Sequence, residues 1–217
     1  MLSTEPPSLP ARRACCARCQ RPAVACLCAF IAPADNLVEV LVLQHPLEQQ
    51  QAKGTARLLT LSLRHSRLVV GERFESDALQ ALLHHPSPAG AAVQPLLLYP
   101  LDAMPAKPAQ TPPAFAPSPA GLRLVVLDGT WRKSRKMLAL NPALQALPRL
   151  SLNTPPPSRY AVRRAEQAQQ RSTLEATVLA LQQLEGDATR YAPLWSGFDA
   201  MVARLALHAR RYGPPVG

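Results

Sequence analysis

The sequence predicts an α/β protein built on a mostly parallel sheet. Short apolar runs of strand length alternate with longer stretches of helical periodicity, which is the pattern of strands joined by crossover helices. The chain has 217 residues, of which 47% are apolar, and this is enough for one well-packed core. Its mean hydropathy of −0.04 fits a globular protein in water.

The elements are predicted in order along the chain. The apolar runs that indicate strands cover 37–43, 68–71, 93–99, 122–128 and 149–152. Helices are predicted over 47–63, over 77–84, after Thr130, over 172–184 and over 198–211. Seven prolines between 100 and 119 indicate a surface loop, taken as 101–120, between two halves of one domain. We expect residues 1–14 to be disordered.

The charge favours a nucleic acid partner. Formal net charge is +10, and 20 of the 24 basic residues are Arg. Arg binds phosphates with two parallel hydrogen bonds and stacks on bases, so RNA or DNA is the first interpretation. The alternative is a GC-rich genome, whose codons favour Arg, Ala, Pro and Leu whatever the function.

Nothing in the sequence predicts a membrane protein. No apolar run approaches the roughly 20 residues that a membrane span needs. The first residues, M-L-S-T-E-P-P-S, lack the basic segment and apolar core of a secretory signal. The sequence therefore predicts a cytoplasmic location, with a mitochondrial or plastid location as the alternative.

All five cysteines lie between residues 15 and 30, which we treat as a separate small segment. Four of them, Cys16-x2-Cys19 and Cys26-x-Cys28, have a spacing that suits tetrahedral zinc, and in the cytoplasm disulfides are rare. Such zinc would be structural, because four thiolates leave no open position. Cys15 is treated as a spare thiol. A metal-free or redox-labile cluster and an iron–sulfur cluster are the alternatives.

The segment D-G-T-W-R-K-S at 128–134 is the most informative motif. Residues 103–165 contain ten Lys or Arg but a single carboxylate, Asp128, which follows an apolar strand. In parallel α/β sheets, ligands bind beyond the carboxyl ends of strands. Thr130 can cap the next helix. We therefore predict a functional site at Asp128.

The helix after Thr130 is predicted to have two faces. At 100° per residue, Trp131, Ser134, Met137 and Leu138 fall on one arc, and the cations fall on the opposite arc. These cations, with no acid between them along the helix, predict an RNA phosphate contact at Arg132, Lys133 and Lys136. The alternative is a solvated charged face.

A second basic group follows in the proline-rich stretch after the fifth strand. It contains Arg159, Arg163 and Arg164 and is a further predicted RNA contact. Trp131 and Tyr160 could stack on splayed RNA bases or on an adenine. Either ring could equally belong to the core.

Seven short motifs in this order resemble the DTW-domain family, over about residues 15–185. They are C-x-x-C-x-R-P…C-x-C at 16–28, H-P-x-E at 45–48, G-T-x-R-L at 54–58, L-L-Y-P at 97–100, D-x-T-W at 128–131, S-R-Y at 158–160 and S-T-x-E-A at 172–176. The best-fitting members are bacterial tRNA-uridine aminocarboxypropyltransferases. Cys15 and the proline-rich insert at 101–120 depart from the family pattern.

The resemblance implies a fold and a reaction. The fold would be a SPOUT-like knotted, mostly parallel sheet with helices on both faces, covering 31–217. The reaction would transfer the 3-amino-3-carboxypropyl group of S-adenosylmethionine (SAM) to N3 of a uridine in the tRNA variable loop, releasing methylthioadenosine. Asp128 is assigned as the base that takes the N3 proton.

The resemblance also implies where SAM binds. The expected residues are Thr55, Leu98, Tyr99, Pro100, Leu127, Trp131, Leu152, Tyr160, Ser172, Thr173 and Ala176. Arg159 and Arg163 could instead hold the carboxylate of SAM. Glu175 is predicted to cap the helix that begins at Ser172, and His45 is predicted to cap or anchor the first helix.

Three other functions stay open at this point. The same fold could methylate RNA, or could transfer the same group to ribosomal RNA. The chain could also be a zinc-containing RNA-binding protein without enzymatic activity. No DNA partner is expected, and the oligomeric state is not predicted.

Overall fold

The computed structural model describes residues 15–51, 54–87, 90–100, 118–152, 154–160 and 171–212. Its centre is one sheet of five strands, which are β1 Glu39–Gln44, β2 Ser66–Val70, β3 Gln94–Leu98, β4 Leu122–Asp128 and β5 Arg149–Leu150. All pairings are parallel, and the strand order is β2-β1-β4-β3-β5. The predicted α/β class with a parallel sheet is confirmed.

Helices join the strands and close the chain. They are α1 Ala56–Ser62, α2 Ser76–His84, α3 Trp131–Leu140, α4 Pro142–Gln145, α5 Thr173–Glu185 and α6 Ala192–Tyr212. Short 3-10 helices cover Ala23–Ala25, Cys28–Phe30, Pro46–Glu48, Pro119–Gly121 and Thr189–Tyr191. The prediction missed α4 and began α6 at 198, six residues late.

The helix predicted over 47–63 is wrong in its first half. A 3-10 turn covers Pro46–Glu48, and α1 begins only at Ala56. Between them the amide of Gly54 donates to the carbonyl of Gln51 at 2.9 Å, so the chain turns back on itself. A Cβ at Gly54 would lie 3.2 Å from that carbonyl oxygen, which is tighter than ordinary van der Waals contact, so this turn favours glycine.

The sheet is covered on both faces. Side chains alternate along a strand, so Val40 and Val42 of β1 enter one core while Leu41 and Leu43 enter the other. The first core is closed by α1, α5 and α6, and the second by α2, α3 and α4. This arrangement confirms the prediction of helices on both faces.

The cysteine segment packs onto the first core. Cys19 and Leu27 are buried there with the sheet residues. On α6, Arg204 donates to the carbonyl of Cys26 at 2.6 Å and stacks 4.3 Å from the ring of Phe30. A Cβ at Gly197 would lie 2.3 Å from the carbonyl oxygen of Phe30, so only glycine permits this close approach of α6.

One buried arginine links the sheet to α2. Arg123 lies near the start of β4, where its guanidinium pairs with Glu39 of β1. It also donates to the carbonyls of Leu82 and Leu83, at 3.0 and 2.9 Å. These carbonyls belong to the last turn of α2, where the helix has no further amide to donate to them. Part of the positive charge therefore serves the fold.

Three predictions depend on residues that the structure does not describe. Residues 1–14 and 101–117 lie outside the described residues, so the predicted disorder and loop stay predictions. The knot also stays a prediction, because the chain path from β3 to β4 runs through 101–117. Within the described ranges, no helix is both long enough and apolar enough to cross a bilayer.

Candidate active site

The carboxyl ends of the strands meet at one edge of the sheet, because all five strands run in the same direction. Asp128 ends β4, which lies at the centre of the sheet. In register beside it is Gln44, the last residue of β1. Asp128 is only 6% exposed, so its carboxylate sits in a protected position rather than in open solvent.

Two neutral side chains orient the Asp128 carboxylate. The amide of Gln44 donates to Oδ2 at 2.7 Å, and the hydroxyl of Thr173 donates to Oδ1 in a short hydrogen bond. Each oxygen of an ionised carboxylate is an acceptor, so these neutral donors fix its orientation without removing its charge. Gln44 was not predicted. The signal in the sequence is a polar residue that ends an apolar strand.

The first turn of α5 faces this carboxylate. Ser172 caps the helix, with Glu175 as the reciprocal member of a capping box, which confirms the predicted role of Glu175. The buried Glu175 carboxylate also accepts from the hydroxyl of Ser158 and from the amide of Arg159, at 3.0 and 2.6 Å. It therefore fastens the S-R-Y segment to the helix that contacts Asp128.

Two backbone amides of this helix turn are already used inside the protein. Leu174 donates to the hydroxyl of Thr55 at 3.1 Å, and Glu175 donates to the hydroxyl of Ser172 at 3.3 Å. Thr55 is 3% exposed. Thr55 and the first turn of α5, both predicted to contact SAM, are thus held together by a hydrogen bond.

The turn after β4 leads into α3. Thr130 caps this helix by accepting from the amide of Lys133 at 3.4 Å, as predicted. Trp131 is 37% exposed, and its ring meets the buried ring of Tyr99 edge to face, with centroids 5.8 Å apart. Of the two predicted roles for Trp131, the exposed indole agrees with the aromatic surface rather than with a place in the core.

The predicted SAM residues come from adjacent strand ends. Most of them end or follow β3, β4 and β5, or begin α5, and these positions lie at one edge of the sheet. The residues in question are Leu98, Tyr99, Pro100, Leu127, Trp131, Leu152, Ser172, Thr173 and Ala176. Their burial ranges from buried Tyr99 to exposed Trp131. The structure brings them together. Their contact with SAM stays a prediction.

Tyr160 lies in the first core, which is the second of its two predicted roles. It is 4% exposed and packs against Phe198 of α6, with ring centroids 5.7 Å apart. A ring buried in the first core cannot present a face to an RNA base, so its assignment as a stacking residue is corrected. Its neighbour Arg159 is exposed, pairs with Asp199 at 3.0 Å and lies 4.7 Å from the ring of Trp195.

The cations of α3 are partly neutralised by acids from other elements. Lys133 pairs with Glu48 at 2.7 Å, and Lys136 pairs with Glu72 at 3.0 Å. Carboxylates of the protein thus provide counter-charge at these two lysines, and their contact with RNA phosphates stays a prediction. Arg132 is exposed and remains a predicted phosphate contact. Arg163 and Arg164 lie outside the described residues.

His45 anchors the start of the segment that follows β1. Its Nδ1 accepts from the amide of Leu47 at 3.2 Å, which caps the 3-10 helix, and its Nε2 contacts Glu72 at 2.9 Å. His45 is therefore a cap, as predicted, but of this 3-10 helix rather than of α1, which begins only at Ala56. The hydrogen bonds from His45 and Lys136 lower the pKa of Glu72. Glu48 and Glu72, which sequence reasoning missed, therefore hold α3 beside β1.

The four predicted metal ligands form one cluster. The sulfur atoms of Cys16, Cys19, Cys26 and Cys28 all lie within 4.8 Å of one another. The Cys16–Cys28 and Cys19–Cys26 pairs are 3.6 Å apart. A tetrahedral zinc with bonds of about 2.3 Å requires sulfur separations of about 3.8 Å, so the donor set fits this ion. Cys15 is exposed and is not part of the cluster.

Hydrogen bonds shift the pKa values of two thiols of this cluster in opposite directions. Backbone amides, chiefly that of Cys19, lower the pKa of Cys16 to about 6. The hydrogen bond with Cys16 raises the pKa of Cys28 to about 12. The Cys16 thiolate thus accepts a hydrogen bond from the Cys28 thiol, which favours the charged form of Cys16 and the neutral form of Cys28. A metal ion would displace the remaining protons.

Sequence comparison decides the family. The DTW domain matches residues 13–206, which is most of the chain. The chain belongs to the DTW domain family. Among solved structures, none matches significantly.

Three curated relatives of this DTW protein have related names. It is 33% identical over 193 residues to tRNA-uridine aminocarboxypropyltransferase 2 of Drosophila melanogaster, an alignment that covers 85% of this chain and 70% of the fly protein. It is 32% identical over 142 residues to tRNA-uridine aminocarboxypropyltransferase A of Arabidopsis thaliana, covering 58% and 51%. For tRNA-uridine aminocarboxypropyltransferase 2 of Macaca fascicularis the values are 30% over 180 residues, covering 80% and 57%. The chain thus spans between 51% and 70% of the length of these relatives.

Proposed function

We propose that this DTW protein is a tRNA-uridine aminocarboxypropyltransferase that uses SAM as the donor. The target is N3 of a uridine in the variable loop, and methylthioadenosine is released. The observation that carries the proposal is the fixed position of Asp128 at the centre of the strand-end site, in a chain of this family. The names of the curated relatives support the reaction class.

Asp128 acts as the base in the proposed mechanism. Uridine N3 carries a proton and is a poor nucleophile until that proton leaves, so a positioned carboxylate is required. The proton moves from N3 to an oxygen of Asp128. The N3–Cγ bond forms while the Cγ–S bond breaks, and the electron pair of the broken bond goes to sulfur. Gln44 and Thr173 hold the carboxylate in one orientation throughout.

The donor site is proposed along the same strand ends. SAM supplies a γ-carbon activated by the adjacent sulfonium, so the protein's main task is alignment of the two reactants. The exposed ring of Trp131, supported by Tyr99, offers a surface for adenine or for the methionine arm. The residues after β3 and β5 and the first turn of α5 complete the proposed pocket. The strand order, in which β5 pairs with β3 across from β4, is compatible with a SPOUT-like knot there.

The tRNA surface is proposed to begin at α3. Arg132 and Arg135 are exposed on this helix, directly after the motif that contains Asp128. The 2.7 and 3.0 Å ion pairs of Lys133 and Lys136 hold the helix against the loops after β1 and β2. The arginines therefore carry most of the proposed phosphate binding, and the lysines fix the helix that presents them. We include a cytoplasmic location in the proposal, since tRNA is available there.

The cysteine cluster is proposed to hold one structural zinc ion. Cys16, Cys19, Cys26 and Cys28 would be its ligands, and zinc would replace the shared protons of the thiols. Because this segment packs on the same core as α1, α5 and α6, metal binding would stabilise the face of the sheet that supports α5. No catalytic step is assigned to the ion.

One incubation tests the proposal against its alternatives. Purified protein is mixed with tRNA and SAM, and the small products and tRNA nucleosides are identified by mass spectrometry. We expect methylthioadenosine and aminocarboxypropyl-uridine. Adenosylhomocysteine would instead indicate methylation, modification of added ribosomal RNA alone would change the target, and RNA binding without any product would indicate a non-enzymatic protein. The cellular counterpart is nucleoside analysis of tRNA from cells that lack the protein.

A matched pair of variants separates donor binding from RNA binding. Trp131→Ala should weaken SAM binding and leave the salt dependence of tRNA binding unchanged, because its ring faces Tyr99 rather than the exposed arginines. Arg132→Ala should do the reverse, lowering the salt slope by about one unit. If Trp131→Ala flattens the salt slope and keeps SAM affinity, the proposed division of α3 is refuted.

A further inference from the structure

A half-buried contact links the cysteine segment to the segment before α1. Arg21 follows the Cys16-x2-Cys19 turn, and its carbonyl accepts from the amide of Cys16 at 2.8 Å. Gln20, just before it, has a left-handed backbone with φ of 57°. From this turn the Arg21 side chain reaches the segment before α1.

Arg21 holds both ends of the turn at 51–54. Its Nη2 donates to the carbonyl of Gln51 at 3.1 Å and to that of Gly54 at 2.7 Å. Hydrogen bonds from a charged donor are stronger than neutral ones. These bonds link parts of the chain about 30 residues apart. Burial lowers the pKa of Arg21, yet a guanidinium stays charged in proteins. Arg21 therefore donates these two hydrogen bonds as a charged group at physiological pH.

The clamped turn continues directly into Thr55. The Thr55 hydroxyl accepts from the amide of Leu174 at 3.1 Å, in the first turn of α5. The preceding residue, Thr173, donates its hydroxyl to the Asp128 carboxylate. Each of these contacts is buried or half-buried. Three hydrogen bonds, joined by the peptide bonds Gly54–Thr55 and Thr173–Leu174, thus connect Arg21 to the helix end that orients Asp128.

We propose that Arg21 is a positioning residue for Asp128, acting through the Gly54–Thr55 backbone and the first turn of α5. This proposal rests on the proposed function, which assigns the base role to Asp128. Arg21 touches neither Asp128 nor the proposed substrates. Its effect is to limit the movement of α5, so that the Thr173 hydroxyl stays within reach of the carboxylate. The cysteine segment thereby becomes part of the support of the active site.

The test compares Arg21→Met with Arg21→Lys. Both side chains keep an unbranched stem, but only lysine keeps a charged donor. Arg64→Met is the matched control, because Arg64 is largely exposed and pairs with the exposed Asp35 at 3.5 Å. For each variant we measure amide hydrogen exchange at residues 173–177, kcat, the KM for tRNA and the bound zinc.

In Arg21→Met we expect exchange at 173–177 to become about tenfold faster, since one or more charged hydrogen bonds are lost. We expect kcat to fall about fivefold with the KM for tRNA within about twofold, and zinc to be retained. Arg21→Lys should recover most of both effects, and Arg64→Met should change neither. Lysine rescue separates donor loss from a general packing defect.

Thr55→Val breaks the same series one step later, without touching the cysteine segment. It should also accelerate exchange at 173–177, and the double variant with Arg21→Met should be no worse than the more severe single variant. If Arg21→Met does not fold, Thr55→Val and Arg21→Lys still decide the question.

Two results would overturn the proposal. Unchanged exchange at 173–177 in a folded Arg21→Met would mean that Arg21 does not fix α5. Faster exchange with unchanged kcat would mean that Asp128 does not need this support. If the wild-type protein transfers no group at all, the proposed function fails instead, and the exchange data alone then decide whether Arg21 fixes α5.

Discussion

Replacing Asp128 with Asn is the most direct test of the catalytic assignment. The amide is nearly isosteric with the carboxylate but cannot take the N3 proton. If Gln44 turns its own amide over, the introduced amide can still bond to both present partners, Gln44 and Thr173. Two hydrogen bonds to a charged acceptor, each worth about 1.5–3 kcal/mol, then become two neutral bonds worth about 0.5–1.5 kcal/mol each.

The expected stability loss is therefore about 2–3 kcal/mol, which lowers Tm by roughly 4–12 °C and leaves a folded protein. Loss of a general base costs about 10²–10⁴-fold in rate. The rate effect thus greatly exceeds what partial unfolding can explain. SAM affinity should stay within about threefold of wild type, because the amide keeps the shape of the site.

The assay is single-turnover release of methylthioadenosine, with Tm and SAM affinity measured on the same preparations. Thr173→Val is the control, since it removes one hydrogen bond to Asp128 but keeps the carboxylate. It should cost about tenfold in rate, at least ten times less than Asp128→Asn. If Asp128→Asn keeps more than about a tenth of the wild-type rate, Asp128 is not the base.

Other predictions concern the metal, the RNA surface and pH. Cys16→Ser should release about one zinc per chain and lower Tm, whereas Cys15→Ser should do neither; metal analysis with the opposite pattern would show that the wrong thiol was chosen. Replacing both exposed arginines of α3, Arg132 and Arg135, with Ala should reduce the slope of log K for tRNA against log salt by about two units, and an unchanged slope would remove this helix from the RNA surface. Hydrogen bonds from an imidazole and a lysine lower the pKa of Glu72 in the folded state. The resulting stabilisation is complete above the ordinary carboxyl pKa and is lost as pH falls through the lowered one. Glu72→Gln should therefore flatten the fall in Tm below about pH 4, and an unchanged acid limb would contradict this.

The apolar periodicity predicted helix bounds least well where hydrogen bonds between distant parts of the chain compete with the local pattern. The stretch 47–63 contains enough apolar residues for one long helix, yet the turn at Gly54 divides it. Thr55 would be expected to cap α1 with its hydroxyl, but that hydroxyl accepts from Leu174 of α5 instead. A contact between residues 119 apart is not encoded in any local pattern.

What the sequence determined by itself is local. The apolar run 122–128 placed Asp128 at a strand end, the spacing of the cysteines selected four of the five thiols, and S-T-x-E indicated the capping box of α5. Each of these features depends on neighbours within a few residues, where spacing and backbone geometry leave few alternatives.

Only the tertiary structure decided which side chains surround the site. Gln44 reaches Asp128 across 84 residues, and Glu48 reaches Lys133 across 85. Both contacts exist because β1 lies beside β4 in the sheet. Several strand orders satisfy the same periodicity, and each gives Asp128 and the α3 lysines different neighbours. The partners of a charge are therefore set by strand order and helix docking rather than by spacing along the chain.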